Sequence, residues 1–406
     1  MSFRVALSGL NAAQADLSVT ANNIANANTS GFKQSRAQFA DFFPVSAYGL
    51  ADNAIGSGVR LDRVAQQFTQ GTVNFTNNAL DLAISGEGFF TLSDSGSMVY
   101  SRAGAFGTDR DGYVVNASGQ RLQVFPPIAG TNSFDTAQLS DLRMSTADNP
   151  PAATTRIEAG YTLPANAAVP TVTPFDATDP NSFNHTTAVT IYDSLGAAHQ
   201  ASLFFVKTAN PNEWEMYSQV DGVNVGGAQL LQYSTSGTLT SPAGGDITLP
   251  STATTTGSAP LDMTVNVSAS SQYGERFTVS RLGQDGFTTG RLSGIEVGDG
   301  GVVQARYTNG QSSPLGQLAI TTFPNNQGLQ QIGDSVWMES FNAGSAIRGI
   351  AGSGSFGLVQ SGALEASNVD LTEQLVNMIT AQRNFQANAQ MISTSDQVTQ
   401  TIINIR

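Results

Sequence analysis

The apolar positions of this chain follow two rhythms, a helical one at both ends and a strand-like one between them. Over residues 3–28, Phe3, Leu10, Leu17 and Ile24 recur every seven residues, with Ala6, Leu7, Ala13 and Ala21 on neighbouring rows of the same face. Over residues 368–406, Leu371, Met378, Phe385 and Ile392 recur at the same spacing, flanked by Leu375 and Ala389, before the stripe drifts to Val398, Ile402 and Ile405. Such a repeat is a coiled-coil seam, narrow at the N-terminus because so much of it is alanine. Each end is therefore predicted to be a helix with one sticky face. Asn368 or Ser367 is placed to cap the second helix, with Asp370 and Glu373 in its first turn, where the helix dipole favours acids.

Between the ends, LDLAISGEGFFTLSDSGSMVYSRAGAFGTDRDGYVVNASGQRLQVFP (80–126) alternates short apolar runs with Gly, Asp and Asn, as a strand meander does. Residues 127–182 have little periodicity and are dense in Pro, Ala, Thr and Asn, which reads as a linker and the start of another unit. Strand signals return over 185–282, in TTAVTIYDSLG, ASLFFVKT, NEWEMYSQVDG and LDMTVNVSAS; then GGVVQARYTNG, LGQLAITTF and DSVWMES resume the earlier style. The expected fold is α+β, mainly β, with nested β domains and N- and C-terminal helices pairing as a coiled coil. The chain runs out through its layers and returns in reverse order. Residues 1–30 plus 367–406 form a helical assembly domain, 31–70 plus 350–366 connecting segments, 71–145 plus 284–349 an inner β domain, and 146–283 an outer β domain.

Composition narrows the chemistry. Charged residues are 12% of the 406, about half of the roughly 25% usual in soluble proteins, while the hydrophobic share is an ordinary 40% and the mean hydropathy is -0.10. Lysine occurs only at Lys33 and Lys207. A net charge of -13 and a pI near 4.4 leave no basic footprint for nucleic acid and none for an anionic lipid surface. With no cysteine, thiol catalysis, thiolate-bound metal and disulfides are excluded together. His185 and His199 have no metal-binding spacing. No catalytic, cofactor-binding or metal residue is assigned, and no cofactor is expected. No run of about 20 apolar residues predicts membrane insertion. The N-terminus carries Arg4 but neither the apolar core nor the small-residue cleavage site of a secretory signal peptide.

The ends are near neutrality, +2 over residues 1–36 and -2 over 363–406, so the acid excess lies in the body. One narrow stripe returns less than the entropy of ordering its helix, so the N-terminal segment alone is expected to be disordered, folding when its seam meets the other seam and neighbouring subunits. Sticky neutral ends on an acidic body describe a polymer subunit.

Several separated stretches resemble the bacterial flagellar axial family of rod and hook proteins. SGLNAAQADLSVTANNIANANTSGFK (8–33) is similar to the family's N-terminal signature, with Asn22, Asn23, Asn26, Gly31 and Phe32 in its Asn-rich motif. LDLAISGEGFF (80–90) with YSRAGAFGTDRDGYVVN (100–116) resembles the core β motif. SGALEASNVDLTEQLVNMITAQRNFQANAQMISTSDQV (361–398) resembles the C-terminal signature, including Ser367, Asn368 and Asp370. IYDSLGAAHQ (191–200), QDGFTTGRLSGIEVGDGGVVQARYTNG (284–310), the LGQLAITTFPN that follows, and the length point to the hook branch. The resemblance implies an extracellular structural subunit that polymerises into a flexible tube transmitting torque from rod to filament. It implies partners: further copies of itself, rod and hook-filament junction proteins, the hook cap and the flagellar export apparatus. Export without a cleaved signal goes with it. Assembly would rest on Phe3, Leu10, Leu17, Ile24, Leu371, Leu375, Met378, Phe385 and Ile392.

Low charge then acquires a use. Contacts that slide as a tube bends must be weak, and neutral Ser, Thr, Asn and Gln hydrogen bonds of about 0.5–1.5 kcal/mol that water can bridge suit this better than ion pairs that lock one register. Other readings of the same residues are a distal rod or related axial subunit, a secreted β-rich adhesin or glycan-binding module with coiled-coil ends, and a hydrolase using carboxylates among Glu87, Asp109 and Asp111. Gly352, Gly354 and Gly357 fit a nucleotide-loop spacing, but no convincing strand precedes them in the pattern and the next helix starts about ten residues later, so a flexible Gly/Ser hinge fits better. Asp109, Asp111 and Gly112 read as a hairpin turn, Trp214 and Trp337 as core, and His199 as satisfying a turn beside Asp193.

Overall fold

The computed structural model describes residues 2–42, 56–131, 133–145, 147–254 and 256–404. Part of the 31–70 segment and Ile405 lie outside the described residues. Two helices stand at the ends, α1 (Ser2–Ala25) and α2 (Leu371–Asn404), and strands and turns fill the interval. The chain divides into two compact units, one of Met1–Ser145, Gly294–Arg306 and Ser312–Arg406, the other of Thr146–Ser293 and Tyr307–Gln311.

In the first unit the meander predicted over 80–126 is the heart of a large antiparallel sheet. Its strands run in the order Ser312–Thr322, Arg121–Phe125, Phe89–Asp94, Ser97–Ser101, Val336–Met338, Gln330–Gly333. One side of it packs Ile84, Phe90, Leu92, Val99, Leu122, Val124, Leu318 and Ile320 into a core. A smaller aromatic cluster joins Phe89, Tyr100, Phe323 and Trp337, with Phe68 edge-on to Trp337 at 5.7 Å. The Trp337 indole N–H donates to Gln66 Oε1 at 2.6 Å, tying that cluster to a two-stranded hairpin, β1 (Ser35–Asp41) with β2 (Val59–Gln66). Among the described residues, the stretches read as connecting segments contribute the strands Ser35–Asp41, Val59–Gln66, Leu358–Ser361 and Ala363–Glu365.

The second unit is built from two sheets around one core. Burial alternates strictly along Glu213–Val220, placing Trp214, Met216, Ser218 and Val220 on the inner face, as a strand with one solvated side requires. Opposite it lies Arg156–Pro164, which pairs with Thr264–Asn266, Ser271–Tyr273 and Thr278–Gln284. This strand corrects the linker reading of 127–182. Ile157, Ala159, Tyr161 and Leu163 alternate into the core, a signal masked by the Pro-, Ala- and Thr-rich sequence on either side. Trp214 is fully buried, as is Trp337.

The Gly352–Gly357 stretch is a turn between strands Ile347–Ile350 and Leu358–Ser361, with positive φ at Gly352 and Gly354. A strand does precede it, contrary to the sequence reading, but the chain leaves it as another strand and not as a helix. Asp109 Oδ1 accepts the amides of Asp111 and Tyr113, closing the hairpin turn expected there.

Replacing Trp214 with alanine deletes the largest side chain of the second unit's core. It should cost about 3–5 kcal/mol, read as a lowered denaturant midpoint of that unit; a loss below about 1 kcal/mol would contradict its place in the core.

Candidate functional site

The segment returning toward α2 travels beside the segment that left α1. Leu358–Ser361 pairs with Leu82–Ser85, and Ala363–Glu365 pairs with Val73–Phe75. Asn368 Nδ2 then donates to the carbonyls of Gln67 and Thr69, while its Oδ1 accepts the Gln34 amide at 2.7 Å. Incoming and outgoing chain are thus fastened step by step until the two helices meet.

Glu365 is the centre of that fastening. Its side chain is excluded from water together with that of Lys33, whose ammonium is 2.7 Å from Oε1. Arg102 Nη1 is 3.3 Å from the other oxygen, and the Gly71 amide donates to Oε1 at 2.9 Å. The Glu365 carbonyl accepts from the Gly31 amide and the Ser30 hydroxyl. Two cations therefore share one carboxylate, and main-chain carbonyls take the surplus positive charge: Thr69 from Lys33, Ile84 and Gly86 from Arg102. Burial pushes the Lys33 ammonium below the ordinary lysine value against the pull of Glu365, with Arg102 adding to the fall. Burial likewise lowers Arg102, opposed by Glu365. Gly31 adopts φ +69°, and a Cβ there would run into the backbone of Ala103, so the turn that delivers Lys33 needs glycine.

Asn23 carries the second fastening. It is 1% exposed, exchanges hydrogen bonds with both the amide and the carbonyl of Ser35, and donates to Gln374 Oε1 of α2 at 3.1 Å. Asn26 holds Asn22 through its side chain at 2.6 Å at the end of α1, and Phe32 is buried. Asp370 is the N-cap of α2, accepting the amides of Thr372 and Glu373 at 2.7 and 3.1 Å. This corrects the cap expected at Asn368 or Ser367: Asn368 is occupied across the chain, and the Ser367 hydroxyl accepts from Val369.

The helices run antiparallel. Asn23 meets Gln374, and Gly9 lies against Asn388 so closely that a Cβ would strike its side chain; the two contacts are equally spaced on each helix, in opposite directions. The most buried rows are Ala6, Ala13 and Thr20 on α1, and Gln374 and Ala381 on α2. Leu10, Leu17, Ile24, Met378, Phe385 and Ile392 are half-buried beside these rows, the flank of a heptad seam closed by small residues. Phe3, Leu371 and Leu375 stay exposed at 49%, 47% and 51%. Because α2 is longer than α1, its final turns overhang, with Val398, Ile402 and Ile403 uncovered.

Sequence reasoning singled out Asn23, Gly31, Asn368 and Asp370, and the structure brings them around one junction. It missed Glu365, Arg102 and Gln374, which come together only through the fold. The available signal was Lys33, one of two lysines on a chain that otherwise uses none.

A mainly β body whose ends are locked at one buried junction and leave as a helix pair with uncovered apolar rows is a structural assembly subunit. Comparison with known proteins agrees. The family described as "Flagella basal body rod protein" matches residues 3–33, "Flagellar hook protein FlgE/F/G D1 domain" 83–174, "Flagellar basal body protein FlaE D2 domain" 162–287, and "Flagellar basal body rod FlgEFG protein C-terminal" 360–405. The chain is 40% identical to the flagellar hook protein FlgE of Escherichia coli (strain K12), with 100% of both chains covered. It is 32% identical to that of Borreliella burgdorferi, with 98% of each covered. The crystal structure of Helicobacter pylori flagellar hook protein FlgE2 shares its fold at a TM-score of 0.54 and 15% identity, covering 72% of this chain and 100% of that one. The chain belongs to the flagellar hook protein family. It is a structural subunit of the flagellar hook, which self-polymerises, and the family is not an enzymatic one. The hook relatives favour this reading over a distal rod subunit or an adhesin. Among the described residues no helix is long and apolar enough to cross a membrane.

Glu365→Gln should destabilise the first unit by about 3–5 kcal/mol, because it strands two buried cations; urea unfolding with a shift under about 1 kcal/mol would refute the account. Lys33 and Lys207 are both buried. An amine-reactive ester should therefore modify neither side chain in the native protein and both in denaturant, as peptide mass mapping would show.

Proposed function

We propose that subunits join through the terminal helices, which line the inner wall of the tube. The observation that carries this is the apolar surface the helix pair leaves open: Leu371, Leu375, Val376 and Ile379 on the first turns of α2, Val398, Ile402 and Ile403 on its overhang, and Phe3 and Leu7 on α1. A monomer gains nothing from such a surface, whereas each copy stacked on the last removes it from water. Distinct patches on the two sides of a subunit form a heterologous contact, and such contacts generate open helices when rotation does not close. In this scheme residues 1–30 plus 367–406 are the assembly domain and 146–283 the outermost layer. Phe3, Leu10, Leu17, Ile24, Leu371, Leu375, Met378, Phe385 and Ile392 then serve both the pair and its neighbours.

The tube acts as a flexible joint passing torque from rod to filament, and neutral polar contacts between its outer domains let registers slide as it turns. Rod and hook-filament junction proteins, the cap and the export apparatus are its further partners.

Deleting residues 1–24, or combining Leu375→Asp with Ile379→Asp, should abolish tube formation seen by electron microscopy while leaving the β circular dichroism intact. Tubes from either variant at the parent's concentration would defeat the proposal. Introducing Lys–Glu pairs on the outer domain should stiffen the hook in fluctuation measurements; unchanged stiffness would remove the role given to low charge.

A further inference from the structure

The IYDSLGAAHQ stretch is not used by the assembly site, yet its Asp193 and His199 close on each other and on Asp221. Residues 193–197 form the turn between strands His185–Tyr192 and Ala198–Lys207. His199 lies just past that turn, 6% exposed, with a carboxylate at each ring nitrogen: Asp221 Oδ2 is 2.6 Å from Nδ1 and Asp193 Oδ2 is 3.3 Å from Nε2. Asp221 sits in the next turn, between Glu213–Val220 and Val223–Asn224, and also accepts the Gln200 amide at 2.9 Å. Asp193 is fully buried. It accepts the amides of Leu195 and Ala197 and the hydroxyl of Thr256 from a third segment. That segment is fastened again where the Ala259 amide donates to Ser194 Oγ at 3.0 Å.

A neutral imidazole has one N–H donor and one lone pair. With carboxylates on both sides, only the imidazolium satisfies both contacts; the neutral ring turns a lone pair toward one anion. We propose that protonated His199 is a pH-sensitive brace of the second unit, joining the Asp193 turn, the Asp221 turn and the Thr256 segment, and that loss of its proton releases them. The element it controls is the turn that holds Leu195 62% exposed, so the rigidity of that surface follows the pH of the medium.

The ionisable side chains acting on His199 are Asp221 and Asp193, and the Thr256 segment contributes a hydroxyl. Burial pushes the imidazole down, and its hydrogen bonds and charge contacts with Asp221 and Asp193 outweigh that and push it up. Burial raises Asp193, but hydrogen bonds from Thr256, Ala197, His199 and Leu195 hold it well below the ordinary carboxylate value. A histidine raised in the folded state adds stability that is complete below its unfolded value, about 6.5, and is lost as pH rises through the folded value.

The chain has two histidines, which makes the test clean. His185 is stacked on Phe277 at 4.6 Å and is pushed down by burial. In the full chain, nuclear magnetic resonance titration should therefore resolve two midpoints on opposite sides of about 6.5, the higher one lost in His199→Gln. The thermal midpoint of the second unit should fall as pH rises above about 6.5 in the parent, and that fall should be absent in His199→Gln, where the lowered His185 contributes only a rise up to about that pH. A His199 midpoint at or below 6.5 overturns the proposal, as does a parental pH slope retained in the variant. Should that variant fail to fold, the titration of the unmodified chain decides alone.

Discussion

Lys33 and Arg102 lie out of water with one carboxylate, Glu365, between them, and the course of both chain ends depends on how that charge is satisfied. Taking such groups from water costs several kcal/mol per ion, so the arrangement persists only if every partner is in place. Those partners come from distant parts of the chain: the turn after α1, residues 69–71, the end of strand Ser97–Ser101, and the strand leading into α2. Removing Glu365 strands two buried cations, and removing any other partner leaves a buried charged group short of a hydrogen bond. The junction therefore acts less as a source of stability than as a condition that both termini meet at one place and in one register.

That register is what the helices inherit. Asn23 and Gln374 bond just beyond the junction, and from there the pair runs antiparallel to Gly9 and Asn388. Small residues at the contact let the backbones approach, but they return little burial energy. The larger side chains lie beside the contact or face away from it. A pair fixed in register by polar locks and left incompletely covered is structurally defined yet unsatisfied, the condition under which adding another copy lowers the free energy.

The scarcity of charge has two meanings at two depths. In the interior the few charged groups are set where they decide geometry: Lys33 at the junction, and Lys207 donating to the carbonyls of Thr208, Asn210 and Glu213. At the surface their sparseness leaves many neutral amides and hydroxyls, whose hydrogen bonds exchange readily with water.

Local pattern was enough for the helices, because a seven-residue repeat needs no knowledge of the partner, and enough for the meander over 80–126 and the strand at 213–220, where alternation is strict. Likeness to a family placed Asn23 and Gly31 among the residues that matter, and capping and dipole chemistry pointed to Asn368 and Asp370 as well. Local pattern assigned the cap of α2 wrongly, since Asn368 and Ser367 are as good cap residues as Asp370 until one knows that Asn368 is held by Gln34, Gln67 and Thr69. It passed over Arg156–Pro164 because a short alternating run inside Pro-rich sequence becomes a strand only when neighbours on both sides supply its hydrogen bonds. Sequence by itself determined the helices, the meander and the sticky ends. The tertiary structure alone decided which charges meet and which apolar rows stay open, because pairing across 332 residues from Lys33 to Glu365 is fixed by topology and leaves no trace in local spacing.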